Sequence, residues 1–319
     1  MVSFARFFVA RCATSLGLLL SVALVVFTAT ALMPRHPEAN LLGPTASEES
    51  IRELRRSLGL EDSLPQQFWD WLSGLPRGDF GRSWSNSQAV AEQLGPALTR
   101  TVSLFVVAFA VAALAGVAAG LVAGTKPNGV LDRVISTVTA ALQAVPEFWL
   151  SLMLISAFAV MLRWFPGSGY VDIAVSPADW IHSITLPALA LGLPIAASIC
   201  RHVRSAVILE LTRDYVRTAV IQGFSRGWIL RTLVLRNSLP SVITILGLQA
   251  LILISVSVIV ENIFAIRGIG TLIVNALSEQ DTPMLLGGVV VFTALVVLIS
   301  LAAEILRVVS DPTTRGRAL

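Results

Sequence analysis

The sequence predicts an all-α integral membrane protein with six membrane-spanning helices. The 319 residues are 55% hydrophobic and only 13% charged, and the mean hydropathy of +0.78 is far above that of a soluble domain. Six apolar stretches reach the roughly 20 residues that a hydrocarbon core about 30 Å thick requires. They are Cys12–Leu32, Thr101–Ala123, Val138–Leu162, Ile184–Ser205, Ser241–Ile263 and Met284–Leu306.

The first stretch has some features of a cleavable secretory signal. Arg6 and Arg11 precede it, and Ala29-Thr30-Ala31 resembles a cleavage site. Its apolar run is longer than the 7–15 residues or so of a signal, which predicts a retained first helix. Cys12 and Cys200 each fall within a predicted span, so we expect buried thiols rather than a disulfide or a thiol-based metal site.

The basic residues predict which loops face the cytoplasm, because cytoplasmic loops carry an excess of Lys and Arg. Four segments are rich in Lys and Arg: the N-terminus, the second-to-third loop, the fourth-to-fifth loop and the tail. They hold, in that order, Arg6 and Arg11; Lys126 and Arg133; Arg201, Arg204, Arg213, Arg217, Arg226, Arg231 and Arg236; and Arg307, Arg315 and Arg317. The short loops on the other side hold only Arg163 and Arg267. Both termini are therefore expected in the cytoplasm. This bias accounts for the net charge of +3, which calls for no nucleic-acid partner.

The predicted spans divide the chain into four segments. An anchor helix occupies residues 1–33, an extracytoplasmic loop region residues 34–100, and a five-helix core residues 101–310, with a cytoplasmic loop at 206–240. Residues 311–319 form a cytoplasmic tail.

The extracytoplasmic region is expected to contain two short helices. Thr45 and Glu48 are spaced as a capping box, and an apolar helical pattern runs from there to Gly59. A second helix carries the aromatic residues around Phe68 and Trp71. These rings belong either to the outer membrane interface or to the small core of the loop.

Prolines interrupt two of the predicted spans. Pro146 lies in the third, and Pro187 and Pro194 lie in the fourth, so missing backbone hydrogen bonds predict kinks there. Such breaks are tolerated where neighbouring helices or a water-lined cavity satisfy the freed carbonyls. The prolines are therefore either ordinary kinks or the border of a translocation path.

The cytoplasmic segment 213–240 is the most informative part of the sequence. It predicts a short helix, a break at Gly223, a second short helix, and the start of the fifth span at Pro240. A helix ending at Gly223 would use the freedom of glycine at positive φ. Phe224 and Trp228, four residues apart, would share one apolar helical face. The residues alone fit either a docking surface or an amphipathic helix on the membrane surface.

Here the sequence resembles the EAA loop of ABC importer permeases, in the longer form of the dipeptide, oligopeptide and nickel branch. The loop carries Tyr215-Val-Arg217-Thr218-Ala219, then Gly223, then Leu235-Arg-Asn-Ser-Leu-Pro240. The resemblance continues, in order, through Gly78-Asp-Phe-Gly-Arg-Ser83, Pro146-Glu-Phe-Trp149, Leu186-Pro-Ala-Leu189, Val260-Glu-Asn-Ile-Phe264 with Gly268-Ile-Gly270, and Asp311-Pro312. It covers nearly the whole chain. It implies the type I importer permease fold, of the first-permease type.

The resemblance implies an obligate complex in the cell inner membrane. Its members would be a second homologous permease, two ATPase subunits or one fused pair, and an extracytoplasmic binding protein. The loop would fit a groove on the ATPase and transmit its closure to the spans. Two residues depart from the family pattern, since Arg217 replaces a glutamate and Gln222 replaces a lysine. These departures leave open which ion pairs orient the loop.

The sequence supports this division of labour. It has no Gly-x-x-x-x-Gly-Lys-Ser/Thr phosphate loop, and its only lysine is Lys126. ATP and Mg²⁺ are therefore expected on the partner ATPase subunits, with no cofactor on this chain. The three histidines, His36, His182 and His202, are scattered and form no His-Glu-x-x-His pattern, so we expect no enzyme.

A secondary transporter or channel is the rival class, because such proteins place ionisable groups in mid-span. Glu261 and Glu304 are predicted near span ends, where water can reach them. Glu147 lies deeper, and bonding to a neighbouring helix is its more ordinary role. Together with Pro146 and Asn262, Glu147 and Glu261 are candidates for the translocation path.

Peptide and nickel permeases of the branch share these motifs. Metal transport draws on His, Cys or carboxylate ligands, and here such residues are scattered. A peptide path needs only a wide, largely apolar cavity, with small residues such as Gly116, Gly120 and Gly192 letting helices approach. We therefore predict di- to oligopeptides as substrate, with nickel or another small solute as the alternative.

Overall fold

A computed structural model of the chain describes residues 2–32 and 47–310; for residues 2–10, 12, 309 and 310 it describes the helical backbone only. The described part is mostly helical. The helices are α1 (Val2–Leu32), α2 (Glu48–Ser57), α3 (Leu64–Gly74), α4 (Val90–Thr125), α5 (Val130–Ala144), α6 (Glu147–Met161), α7 (Pro177–Leu211), α8 (Asp214–Ile221), α9 (Arg226–Ile263), α10 (Ile269–Ser278) and α11 (Thr282–Ser310). His36, Thr45, Asp311 and Pro312 lie outside the described residues.

Five of the described helices are long and apolar enough to cross a membrane: α1, α4, α7, α9 and α11. The pair α5 and α6 makes a sixth span if its two members are counted as one. The prediction of an all-α membrane protein with six spans is confirmed in this sense. The predicted third span is wrong in its shape, because the chain bends by 100° between α5 and α6.

The bend follows from the chemistry of proline. Val145 adopts an extended conformation (φ −91°, ψ 121°) and ends α5, and Pro146 is the N-cap of α6. Proline lacks an N–H group and pushes the preceding residue out of the α region. At Pro146 the helix therefore stops and restarts, whereas Pro187 and Pro194 lie inside α7.

The chain divides into two compact units. The first comprises residues 2–4, 102–266 and 298–310, and the second comprises residues 5–32, 47–101 and 267–297. Each has its own apolar core. That of the first unit includes Leu104, Ile199 and Val234, and that of the second includes Val90 and Ile269.

Glycines bring two helices of the first unit into close contact, as the sequence predicts. A Cβ atom added at Gly116 would lie 2.6 Å from the carbonyl oxygen of Ala196, and one at Gly120 would lie 2.7 Å from that of Cys200. From the opposite helix, a Cβ at Gly192 would lie 2.9 Å from the Ala108 oxygen. The backbones of α4 and α7 therefore touch where glycine omits a side chain. The buried Cys200 thiol is free, as expected.

The second unit contains the two predicted short helices, with one correction. Helix α2 begins at Glu48 with Ser47 as its N-cap, and the Ser47 hydroxyl accepts the Ser50 N–H at 3.2 Å. The N-cap is therefore Ser47, the residue directly before the helix, and not Thr45 as the predicted capping box required. After α2 the chain turns at Gly59, whose φ is +67°.

The aromatic residues of α3 differ in burial, and some of them form the small core that was one of the two predicted roles. The Phe68 ring lies 5.2 Å from that of Phe27 and 6.2 Å from that of Trp71, so these three form a small core. Trp69 is exposed. A hairpin follows, closed by an antiparallel bridge between Arg82 and Ala89.

Candidate functional site

The loop after α7 contains a tightly capped helix. In α8, Val216 and Ala219 face inward and are buried, while Arg217 and Thr218 are exposed. The chain leaves the helix through Gly223, whose φ is +81°. The Gly223 N–H donates to the Val220 carbonyl at 3.0 Å, and the Phe224 N–H donates to the Ala219 carbonyl at 3.1 Å. This pair of bonds is the Schellman motif, and it confirms the predicted break at glycine.

The second helix of the loop differs from the prediction. It begins at Arg226, with the Ser225 hydroxyl accepting the Trp228 N–H at 3.3 Å, and it continues into the fifth span as one helix, α9. Pro240 therefore lies inside a helix rather than at its start. Ile229 and Val234 precede the proline and are 4% and 0% exposed. Their burial stabilises the part of the helix that lies before Pro240.

The segment Gly223-Phe-Ser225-Arg-Gly227 also matches the hydrolase pattern Gly-x-Ser-x-Gly. In hydrolases the serine of this pattern sits on a turn from a strand into a helix. Here the segment follows helix α8, and the Ser225 hydroxyl serves as a helix cap. The geometry is that of a helix-turn-helix loop.

Two aromatic rings stack on the outside of this turn. The centroids of Phe224 and Trp228 lie 4.3 Å apart with an interplanar angle of 19°. Phe224 precedes the helix, so the expectation that both rings share a helical face is wrong, although the two rings are in contact. The rings remain 44% and 41% exposed. Val220 and Ile221, at 60% and 85% exposure, extend the apolar surface.

These four side chains, Val220, Ile221, Phe224 and Trp228, are called the apolar patch below. Sequence reasoning missed the first two. All four apolar residues of α8 look alike in the sequence, and only the structure shows that Val216 and Ala219 are buried whereas Val220 and Ile221 are exposed. Exposed apolar side chains concentrated on one loop in this way favour a binding site.

Polar contacts fix the loop within the first unit. The Tyr215 hydroxyl donates to the Glu210 carboxylate at the end of α7 and accepts a 3.0 Å hydrogen bond from Asn237 of α9. Burial, together with the bond to Glu210, raises the pKa of Tyr215, so the hydroxyl keeps its proton. Arg226 donates to the Thr125 carbonyl at the end of α4, at 2.7 Å.

Arg217, one of the two departures from the family pattern, is exposed in the structure. Its guanidinium lies 3.8 Å from the Asp214 carboxylate, with both side chains largely exposed. An exposed pair of this kind contributes little to stability. Arg217 therefore has no fixed role within the chain and points to solvent.

A buried ion pair connects α5 to α7. Arg204 donates to both carboxylate oxygens of Asp132, at 2.5 and 2.8 Å, and Asp132 is 3% exposed. The carboxylate also accepts the Asn128 N–H at 2.8 Å. Sequence reasoning missed Asp132 because the predicted third span began at Val138, whereas the helix starts at Val130.

The predicted path residues fall in two places. Pro146 and Glu147 lie at the bend, with Glu147 half-buried in the first turn of α6. The expected bond from Glu147 to a neighbouring helix is wrong, since its side chain contacts no polar partner among residues 2–32 and 47–310. A carboxylate at a helix N-terminus is stabilised by the helix dipole instead.

Glu261 and Asn262 lie near the end of α9. Asn262 is exposed and donates to the Val258 carbonyl at 2.8 Å. Glu261 is 0% exposed, so the expectation that water reaches it is wrong. The chain turns back over it: the Ile266 N–H donates to the Glu261 carbonyl, and Phe264 and Ile266 are buried.

Comparison with known proteins places these features in context. Residues 116–316 match the family described as "Binding-protein-dependent transport system inner membrane component", and residues 4–105 match the N-terminal family of the same systems. A putative peptide transport system permease protein of Brucella abortus (strain 2308) is 35% identical over 96% of this chain and 97% of its own length. The glutathione transport system permease protein of Escherichia coli (strain K12) is 31% identical over 92% of this chain and 94% of its own.

A solved structure shares the fold. The methionine ABC transporter MetNI in an inward-facing conformation matches with a TM-score of 0.57 and 18% identity, over 68% of this chain and 96% of the transporter chain.

Proposed function

This chain belongs to the family of inner membrane components of binding-protein-dependent transport systems, and we propose that it is the permease subunit that carries di- and oligopeptides in an ATP-driven importer of the cell inner membrane. Its five to six spans provide the membrane body. The loop of α8, Gly223 and the first turn of α9 provides the coupling to ATP hydrolysis.

The peptide substrate is supported by the relatives. One is named for peptide transport and another for glutathione, which is a tripeptide. Nickel is the alternative. Uptake of a labelled tripeptide and of labelled nickel, compared in cells lacking this gene, separates the two. Loss of nickel accumulation with unchanged peptide uptake would contradict the peptide assignment.

The observation that carries the coupling role is the apolar patch on the helix-Gly-helix loop. Exposed apolar side chains are unfavourable in water, so covering them with a partner surface stabilises the complex. We assign the partner as an ATPase subunit, which binds ATP and Mg²⁺ and hydrolyses ATP. Two such subunits, or one fused pair, would act with this chain, a second homologous permease and an extracytoplasmic binding protein.

The test removes one ring of the patch. A tryptophan buries about 150–250 Å², and Trp228 is 41% exposed, so about 60–100 Å² remains for a partner to cover. At roughly 25 cal/mol per Å² this is worth about 1.5–2.5 kcal/mol, or about tenfold or more in affinity. Trp228→Ala should therefore weaken ATPase co-purification and abolish peptide uptake, with membrane insertion intact.

Trp69→Ala is the matched control, because Trp69 is also exposed but lies in α3, outside the loop. Gly223→Val is a second test of the same loop, because valine is strained at a φ of +81°. Normal uptake and normal ATPase association in both loop variants would mean that the loop is a membrane-surface helix.

A further inference from the structure

The second unit contains a polar cavity of about 290 Å³ that the coupling role leaves unexplained. It lies between the tip of the 79–90 hairpin, helix α10 and the start of α11. The Gly78–Ser83 motif of the sequence overlaps the start of this hairpin. The hairpin and the α10 region come from loops that the sequence places on the extracytoplasmic side.

The floor of the cavity is rigid. Asp281 is 1% exposed and accepts the Ser83 hydroxyl, the Ser85 N–H at 3.3 Å and the Met284 N–H at 3.2 Å. Ser83 is itself 2% exposed. The Asp281 carboxylate is thus held by its own chain, and the motif serine fixes the hairpin to the first turn of α11.

The rim carries charges of both signs. The guanidinium of Arg267 has no hydrogen-bond or ion-pair partner within residues 2–32 and 47–310, while its backbone carbonyl is held by Arg100 at 3.1 Å. The carboxylate of Glu279 accepts the Ser85 hydroxyl and lies in an exposed residue. A positive and a negative group therefore line one cavity on a backbone that is held in place.

Primary amides supply a further part of the polar lining. The Asn86 and Gln93 side chains pair with each other at 3.2 and 3.3 Å, and Asn275 also lines the cavity. An amide side chain offers a donor and an acceptor, the same pair of groups that a peptide bond presents.

We propose that this cavity binds the free ends of a short peptide, with Arg267 holding the carboxylate, Glu279 holding the ammonium group, and the amides contacting the peptide bonds between them. A peptide with two free ends is a zwitterion. One positive and one negative group in the cavity match it better than they match a cation or an anion alone. A volume at the small end of the range for ligand pockets limits the occupant to about two or three residues. The inference rests on the proposed peptide transport and adds a receiving site on the permease itself.

The test is protection of a nearby thiol. Leu272 lines the cavity without contributing a polar group, so Leu272→Cys in a chain carrying Cys12→Ala and Cys200→Ala gives a single reporter. The purified permease complex, in nanodiscs without its binding protein, is treated with a membrane-impermeant maleimide. Millimolar trialanine should slow labelling by about threefold or more. N-acetyl-trialanine amide, which has neither charged end, should not.

Charge-removing variants identify the groups. Arg267→Gln and Glu279→Gln should each abolish protection by trialanine, whereas Arg77→Gln, an exposed arginine outside the cavity, should keep it. Equal protection by both peptides, or full protection in Arg267→Gln, would overturn the inference.

The two proposals fail separately. Suppose that peptide uptake is lost in Gly223→Val but trialanine does not protect the thiol. The transport function then stands, and only the proposed site is refuted. If the intact complex takes up no peptide at all, the transport function falls whatever the thiol reports.

Discussion

The contact between α4 and α7 predicts a specific response to one added methyl group. In Gly120→Ala the new Cβ would lie 2.7 Å from the Cys200 carbonyl oxygen and 2.7 Å from the Val203 Cβ. Neither atom is the end of a flexible side chain, so the helices must separate. Gly17→Ala, in α1, is the matched control, because nothing lies within 4 Å of the position of its Cβ.

The size of the effect follows from two opposing terms. Alanine is a better helix former than glycine by about 1 kcal/mol, and this gain applies to both variants. Overpacking a close contact costs about 1–3 kcal/mol, and this cost applies to Gly120→Ala alone. The difference between the two variants should therefore be about 1–3 kcal/mol. At about 2–4 °C per kcal/mol, that is about 2–12 °C in the unfolding midpoint.

The thiol of Cys200 reports this unfolding directly. Cys200 is 2% exposed and lies at the same contact, so a thiol-reactive dye labels it only when α4 and α7 come apart. With Cys12→Ala as background, it is the only thiol in the chain. Thermal labelling of the detergent-solubilised protein then gives the midpoint for each variant. Equal midpoints for Gly120→Ala and Gly17→Ala would refute the close helix contact.

Three further outcomes are expected. Arg204→Met, which leaves the buried Asp132 carboxylate without its cation, should cost about 3–5 kcal/mol, whereas the double variant that also carries Asp132→Leu should recover much of that loss in the same thermal assay. Asp281→Ala, which leaves the buried Ser83 hydroxyl without its acceptor, should cost about 1–3 kcal/mol and speed tryptic cleavage of the hairpin. Tyr215→Phe should leave ATPase binding intact but lower the peptide transported per ATP hydrolysed, and an unchanged ratio would count against a positioning role.

Composition and hydropathy predicted the spans well, because each needs only a long apolar run. The turn at Gly223 was also predictable, since few residues other than glycine tolerate its positive φ. The 100° bend at Pro146 was not, because hydropathy is the same for a straight span and a broken one. The proline signalled a disturbance, but only the packing of two separate helices distinguishes a break from a kink.

The candidate site was predicted less completely. The rings of Phe224 and Trp228 stand out in a basic loop, whereas the exposure of Val220 and Ile221 is known only once Val216 and Ala219 are seen to be the buried residues of α8. Glu261 was placed in water because it lies near a span end, and its burial depends on how the following residues fold back. Both misses concern side chains whose surroundings come from elsewhere in the chain.

The hydrogen bond between Ser83 and Asp281 joins residues 198 positions apart. It can form only after the ribosome has synthesised the residues between them. A ribosome adds roughly 5–20 residues per second, so Ser83 waits roughly 10–40 s for its acceptor to be made. During that interval the hairpin, which includes Trp84, 7% exposed in the complete fold, is not yet joined to the start of the last helix. A chain truncated before residue 281 would lack the acceptor of the Ser83 hydroxyl, so we expect its hairpin to stay accessible to proteases.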